Sequence, residues 1–362
     1  MRARDLGIVI GQLPSGPLNA ITDVPGVRVG HTTLISGDGP LVVGKGPIRT
    51  GVTVILPHDG DPGREPVFAG SHTLNGNGEM TGLEWVRESG MLTTPIGLTN
   101  THSVGVVRDA LVAASLAGLW SLPVVAETWD GYLNDVNGQH VRPEHVFTAL
   151  DAAAGGPVAE GNVGGGTGMK AFGFKAGIGT ASRRVTAAGD DFTVGVLVQA
   201  NHGRRSRLAI DGVPVGSEIP HSEVPGPATP TTEGGSIIGI VATDAPLLPH
   251  QCRRLAQRAA LGVGRGGGGG ENSSGDIFLA FATGNRALRA EDDGDAPRTY
   301  DLRMLNDDHI DDLYWAAIEA TEEAIVNSLV AAETMTGRDG ITFQAIPHDR
   351  LVDVMRRYGR LP

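Results

Sequence analysis

The sequence predicts a mixed α+β fold, and three observations carry that expectation. Short β-branched stretches with alternating apolar positions recur along the chain. An order of strand, polar corner and helix returns several times without a fixed short period. One long segment, 307–333, places Leu313, Ala317, Ala320 and Ala324 on a single face at helical spacing. The 362 residues, 40% hydrophobic, suffice for one large domain or two. Only 4% are aromatic, so the core must be built from Val, Ile, Leu and Ala. The 54 glycines and 22 prolines are spread along the chain and imply many turns and close backbone packing.

In chain order, Val24–His31 and Thr50–Pro57 alternate as strands around the turn residues Ser36-Gly-Asp-Gly-Pro. Ser71–Gly82 is a polar glycine loop before a helix at Leu83–Glu88. Its Asn75, Asn77 and Glu79 suit a pocket or an Asn-stabilised turn equally. Pro95–Val107 reads as a strand, a polar corner and a helix opening that runs to about Leu119, with Ser103 as a possible N-cap. Asn100 and His102 in that corner are pocket candidates or structural groups. The apolar strand from Leu122 ends in Glu127, Trp129, Asp130, Tyr132, Asn134 and Asp135, a turn or the rim of a site. An acid beside a large aromatic ring suits capture of a substrate ammonium group. A helix is expected over Glu144–Ala154, a glycine corner over Gly161–Lys170, and strands near Ala171–Ala181 and Arg184–Ala187. The buried strand from Phe192 ends in Asn201, whose amide could donate to an oxyanion. Residues 203–234 read as a long loop, followed by a strand, Ser236–Asp244, and a basic helix, Pro249–Leu261. The charged stretch Arg286–Asp301 is irregular. The helix 307–333 contains Glu322 and Glu323, which a solvated face would explain. A strand at Ile341–Ile346 and a helix at Leu351–Tyr358 end the chain.

The net charge of −12 argues against a nucleic-acid partner and an anionic membrane surface. One cysteine, Cys252, excludes an intrachain disulfide and fits a reducing compartment. The apolar stretch Leu6–Ile10 is too short for a secretory signal, and no run reaches the roughly 18 apolar residues of a membrane span. A cytoplasmic location is expected. No ligand spacing of a zinc site, Walker loop or Gly-x-Ser-x-Gly elbow is present, so no metal or cofactor is expected.

The stretch Gly264–Asn285 draws the chemistry. Five glycines, Gly266–Gly270, lead to the pair Ser273 and Ser274 and then to an apolar strand, Ile277–Ala282. A glycine linker before an ordinary strand explains this pattern. So does self-cleavage, with the Ser274 hydroxyl attacking the Ser273 carbonyl. A serine needs an adjacent base, and a freed α-amine, with a pKa of about 7.7–8.0, would supply one. The glycines make an unusual backbone accessible before the bond. Asp276 would orient the new amine or cap a turn.

Five segments taken together resemble peptidase family S58, the self-processing L-aminopeptidase D-esterase/amidases and β-aminopeptidases. They are Asn75-Gly-Asn-Gly-Glu, Leu98-Thr-Asn-Thr-His-Ser-Val-Gly, Glu127-Thr-Trp-Asp-Gly-Tyr-Leu-Asn-Asp, Val196-Leu-Val-Gln-Ala-Asn-His-Gly and Asn272-Ser-Ser-Gly-Asp-Ile. Ala320-Thr-Glu-Glu-Ala-Ile supports them. The resemblance implies a four-layer αββα sandwich, similar to N-terminal-nucleophile hydrolases but with its own connectivity. It implies one domain cut into 1–273 and 274–362, with Ser274 as nucleophile and Asn201 as oxyanion donor. Thr321 and Glu323 match a hydroxyl and an acid near the nucleophile's amine, and Glu127 matches the acid that holds the substrate's amino group. Trp129 stands where the family is expected to carry tyrosine, and Ser273 where it carries glycine. A homo-oligomer, a tetramer of processed protomers, is implied as well. The expected activity is release of N-terminal residues from small peptides, amides or esters. Alternatives are acyl transfer on the same scaffold and an uncleaved binding protein.

Overall fold

The structure, a computed structural model, describes residues 1–115, 120–227, 235–286, 288–289 and 297–361. In chain order the strands are β1 (Arg28–Ser36), β2 (Ile48–Leu56), β3 (Val67–Gly76), β4 (Met91–Leu92), β5 (Ile96–Asn100), β6 (Val124–Thr128), β7 (Lys170–Ala171), β8 (Phe174–Lys175), β9 (Ile178–Ala187), β10 (Asp190–Asn201), β11 (Ser236–Thr243), β12 (Gly275–Ala282), β13 (Met335–Thr336) and β14 (Thr342–Phe343). The helices are α1 (Leu83–Ser89), α2 (Val104–Ala114), α3 (Pro143–Asp151), α4 (Val215–Glu218), α5 (Pro249–Arg265), α6 (Asp311–Val330) and α7 (His348–Arg357).

Two sheets face each other. One is ordered β1-β2-β5-β6, the other β4-β3-β12-β11-β10-β9. Side-chain alternation along each strand sorts the apolar residues into three layers. On β12, Ile277, Leu279 and Phe281 face the other sheet, where they meet Ile55, Leu98 and Val124. Phe278, Ala280 and Ala282 face the opposite way, onto Leu255 and Ala259 of α5 and Ala317 of α6. On β2, Val52 and Val54 turn outward to Val107 and Leu111 of α2 and Val146 of α3. A strand buried on both faces reads as a continuous apolar run, which is why Ile277–Ala282 shows no alternation in sequence. The order is helix, sheet, sheet, helix, the four layers that the resemblance implies.

The outer helices lie very close to the sheets because small residues leave room. A Cβ on Gly179 of β9 would stand 1.9 Å from the Ala324 carbonyl oxygen of α6. That close approach buries nearly all of α6, including Glu319, Thr321, Glu322 and Glu323. The solvated face expected for Glu322 and Glu323 is absent. Glu322 pairs with Arg265 at 2.5 Å, and Glu323 with Arg183 at 2.7 Å.

Several local expectations shift. The two strands expected from Ala171 to Ala187 are one continuous strand, β9, preceded by the small ribbon β7–β8. The expected strand Ile341–Ile346 is reduced to β14, because only Thr342 and Phe343 pair in a ladder, with β13. Ser103 stands at the N-cap of α2 but makes no capping bond. The expected end of that helix, 116–119, lies outside the described residues, as do 228–234 of the long loop and 287 and 290–296 of the charged stretch. The described part of the loop is anchored by Arg205. This residue is buried over the Phe174 ring at 3.3 Å and donates to the carbonyls of Phe172, Gly173 and Ile219.

Candidate active site

Strand ends from both sheets converge on a cavity of about 550 Å³. The carboxyl ends of β3, β6 and β10 bring Asn77–Glu79, Glu127 with Trp129, and Asn201, while the amino ends of β11 and β12 bring Gly235, Ser236 and Ser273. Thr101, Tyr132 and Lys170 complete the wall. Polar groups at strand ends sit on a rigid frame yet need no ladder partner there, and this arrangement gathers residues far apart in sequence.

Glu127 is held at one end of the cavity. Its Oε1 accepts the Glu79 N–H at 3.0 Å, and its Oε2 accepts the Thr101 hydroxyl. Burial pushes its pKa up, against the lowering effect of the Thr101 and Glu79 hydrogen bonds. Trp129 stands edge-on to Tyr132 with ring centroids 4.8 Å apart. The expected pairing of an acid with an aromatic wall is thus present. Asp130 lies beneath the wall, fully buried, accepting from Asn134 Nδ2 at 3.0 Å, and burial pushes it up to about 7.

Asn201 closes the other side. Its Oδ1 accepts the Lys170 N–H at 3.1 Å, and its Nδ2 donates to the Trp129 carbonyl at 3.0 Å. One amide hydrogen on Nδ2 remains for an oxyanion. Asn201 pairs with Ser236 across the β10–β11 ladder.

The serines are arranged differently from expectation. Ser273 lines the cavity; Ser274 does not, and it is 1% exposed. The Ser274 hydroxyl donates to Asp276 Oδ1 at 2.5 Å, because residues two apart on an extended strand share a face. The Ser273–Ser274 peptide is clamped in a turn. Asn77 Nδ2 donates to the Ser273 carbonyl at 2.8 Å, and the Asn77 N–H to the Ser274 carbonyl at 3.1 Å. A second serine on the cavity is Ser236, which the sequence presents only as the first residue of a strand. Its Oγ accepts the Gly275 N–H at 3.0 Å. Gly235 before it has φ +125°, and a Cβ there would lie 2.1 Å from the Asn201 carbonyl oxygen. Only glycine fits this backbone. The signal in sequence was Gly234-Gly235-Ser236 at the end of a Pro- and Thr-rich loop, overshadowed by the longer glycine run at Gly266–Gly270.

Asp276 joins this cluster. It accepts the Ile237 N–H at 3.2 Å as well as the Ser274 hydroxyl. Burial raises its pKa to about 6, opposed by those two bonds. Ser274 and Asp276 therefore flank the residue, Gly275, whose N–H reaches the Ser236 hydroxyl.

Thr321 and Glu323 are not brought to the cavity. They lie on α6, on the outer face of the six-stranded sheet. The Thr321 hydroxyl donates to the Ala317 carbonyl of its own helix at 2.7 Å. Glu323 is engaged by Arg4, Arg183 and Asn19. The acid near the serine cluster is Asp276 instead. Among the described residues, no group of three His, Cys, Asp or Glu side chains is gathered as a metal site would need. No helix among them is long and apolar enough to cross a membrane.

The model of peptidase family S58 matches residues 19–343. The β-peptidyl aminopeptidase BapA of Sphingosinicella microcystinivorans is 52% identical over 374 aligned positions, covering 99% of this chain and 93% of that protein. A Burkholderia sp. β-aminopeptidase structure superposes with a TM-score of 0.92 at 56% identity, over 100% of both chains. The L-aminopeptidase D-Ala-esterase/amidase of Ochrobactrum anthropi, described as a variant of the Ntn-hydrolase fold, superposes with a TM-score of 0.89 at 47% identity, over 100% of this chain and 99% of that one. On the family match and this degree of identity, the chain belongs to peptidase family S58.

Proposed function

We propose that this protein is a self-activated serine aminopeptidase whose nucleophile is Ser236, released by cleavage of the Gly235–Ser236 bond. The observation that carries the reading is the position of that bond, on the cavity wall between Asn201 and the Gly275 N–H. In the first step the Ser236 Oγ adds to the Gly235 carbonyl carbon, the C–N bond breaks, and the hydroxyl proton passes to the departing nitrogen. Water then hydrolyses the ester, leaving a carboxylate on Gly235 and an amine on Ser236. That amine is the base for turnover. The nucleophile attacks a substrate carbonyl, the amine relays the hydroxyl proton to the leaving nitrogen as the C–N bond breaks, and water then hydrolyses the ester on Ser236 to free the N-terminal residue. In this reading Asn201 Nδ2 donates to the oxyanion, a contribution of roughly 3–4 kcal/mol to transition-state stabilisation for donors of this kind. Asp276, through Ser274, sets the polarity beside Ser236.

Glu127 is the acceptor for the substrate's ammonium group. The similarity to two β-aminopeptidases supports β-aminoacyl amides and short β-peptides as substrates. Intact mass spectrometry of purified protein tests the cut. Fragments 1–235 and 236–362 are expected, whereas 1–273 and 274–362 would return the role to Ser274. An unbroken chain that hydrolyses aminoacyl amides would end both assignments.

Glu127→Gln should lower kcat/KM for amine-bearing substrates about 10²-fold, as loss of one charge-assisted contact implies. The effect should fall mainly on KM. Because burial raises the Glu127 pKa, its hold on an ammonium is lost on acidification earlier than an ordinary glutamate would lose it. The variant should keep the limb set by the Ser236 amine and lose the further fall that Glu127 protonation adds at lower pH, and an unchanged profile would remove Glu127 from substrate binding.

A further inference from the structure

We propose that Glu79 tunes the cavity to N-terminal residues with a cationic side chain, the lysine-like class, by setting a second carboxylate beside Glu127. This rests on the aminopeptidase reading above and adds the class of substrate. Glu79 follows β3 and lines the cavity. Its backbone is fixed, since its N–H donates to Glu127 Oε1 at 3.0 Å. Its side chain is left over: the residue is exposed, and among the described residues its carboxylate makes no ion pair and no hydrogen bond. Glu84, farther along the chain, is by contrast paired with Arg87. The Glu79 charge is felt at Glu127, where it adds to the rise in pKa that burial causes. The ammonium end of the cavity thus has two carboxylates, and a substrate with one amine engages only Glu127.

The spacing suits two cations on one residue. A glutamate side chain reaches about 5 Å from its own nitrogen to its carboxyl carbon. Added to the 3.0 Å hydrogen bond, this puts the Glu79 carboxyl carbon within roughly 8 Å of Glu127 Oε1. In lysine the two nitrogens span up to about 7 Å when the chain is extended. With the α-ammonium on Glu127, the side-chain ammonium therefore comes within reach of Glu79. A β3-amino acid keeps this spacing, because its amine and its side chain also share one carbon. Glu79 borders an adjoining pocket of about 470 Å³ as well, which leaves room for a cation beside its carboxylate. A neutral side chain of equal length makes no such contact. Because water screens an exposed carboxylate, the expected preference is modest, about two- to fivefold, and sensitive to salt.

The test uses the purified full-length protein and four anilides: those of lysine, of its neutral isostere 2-aminoheptanoic acid, and of the β3-homologue of each. The leaving group is common to all, so the ratio of kcat/KM within a pair reports the side chain alone. For whichever pair is cleaved, wild type should favour the cationic anilide by about two- to fivefold at low ionic strength, mostly through KM. That preference should shrink toward one as sodium chloride is raised to about 0.5 M. Glu79→Gln should lower the ratio about twofold or more, and Glu79→Asp, which keeps the charge, should keep most of it. A wild type that hydrolyses the two anilides equally or prefers the neutral one, or a preference that salt does not change, would overturn the proposal without any variant. A ratio left unchanged in Glu79→Gln would overturn it as well. In each of these cases the aminopeptidase reading stands, whereas a wild type that cleaves none of the four anilides ends that reading and the inference with it.

Discussion

A Ser236→Ala protein is expected to remain one polypeptide of 362 residues and to lose aminoacyl-amide hydrolysis by roughly 10⁴-fold or more. The size follows from what is removed. The substitution deletes the attacking oxygen, and with the bond uncut it also withholds the α-amine that would serve as base. Both losses act on one step, so they do not multiply as independent defects. Ser274→Ala should behave differently. It leaves the Gly235–Ser236 peptide and the Gly275 N–H in place and removes only the hydroxyl that Asp276 holds at 2.5 Å. The expected result is a chain that is still cut between 235 and 236, more slowly, with residual activity. Denaturing gels over a time course and initial rates on a β-alanyl amide separate the two variants. An uncut Ser274→Ala chain beside a normally cut and active Ser236→Ala chain would restore the sequence-derived assignment.

The layers of the fold were legible because they depend on local pattern. The apolar residues of Val52–Ile55 and the unbroken apolar run Ile277–Ala282 both follow from strands buried on two faces. Glu127, Trp129 and Asn201 were legible as polar residues at strand ends, a position that is written in order along the chain. The choice of serine was not. Ser274 and Ser236 each follow glycine-rich chain and each precede an apolar strand. What separates them is lateral: β11 lies beside β10 and Asn201, whereas Ser274 turns its hydroxyl along β12 to Asp276. Sheet order is set by contacts between strands distant in sequence, and a single chain read in order does not display them. The same holds for Glu323. Its partners Arg183 and Arg4 lie 140 and 319 residues away, so the residue read as a solvated helix acid, and only the resemblance gave it a catalytic role.

That cluster carries the largest stability effect expected in the molecule. Arg183 is 0% exposed and donates to Glu319 at 3.1 Å and to Glu323 at 2.7 Å, while Arg4 and Asn19 complete the shell of Glu323. Removing one partner of a buried pair strands the other charge, at a cost of about 3–5 kcal/mol. Arg183→Met, which keeps most of the volume, should therefore unfold at clearly lower urea than its parent. Arg4→Ala should cost less, since the Arg4 side chain is 29% exposed. Both are best measured in the Ser236→Ala background, where one chain unfolds. The pH dependence separates charge from packing. Burial pushes the Glu323 carboxyl up, but the Arg4 hydrogen bond and the charges of Arg183 and Arg4 outweigh it and hold it below its usual value. A depressed carboxylate stabilises above its unfolded pKa and loses that contribution as pH falls through the lower folded value. The parent should then be nearly flat, as far as this group is concerned, between about pH 8 and 5. With methionine at 183, burial is less opposed and the carboxyl pKa rises. Protonation then relieves the stranded charge, and the gap to the parent should narrow on acidification across that window. A gap that stays constant from about pH 8 to 5 would mean that Arg183 contributes packing alone, and that the acids of α6 are neutralised by other groups.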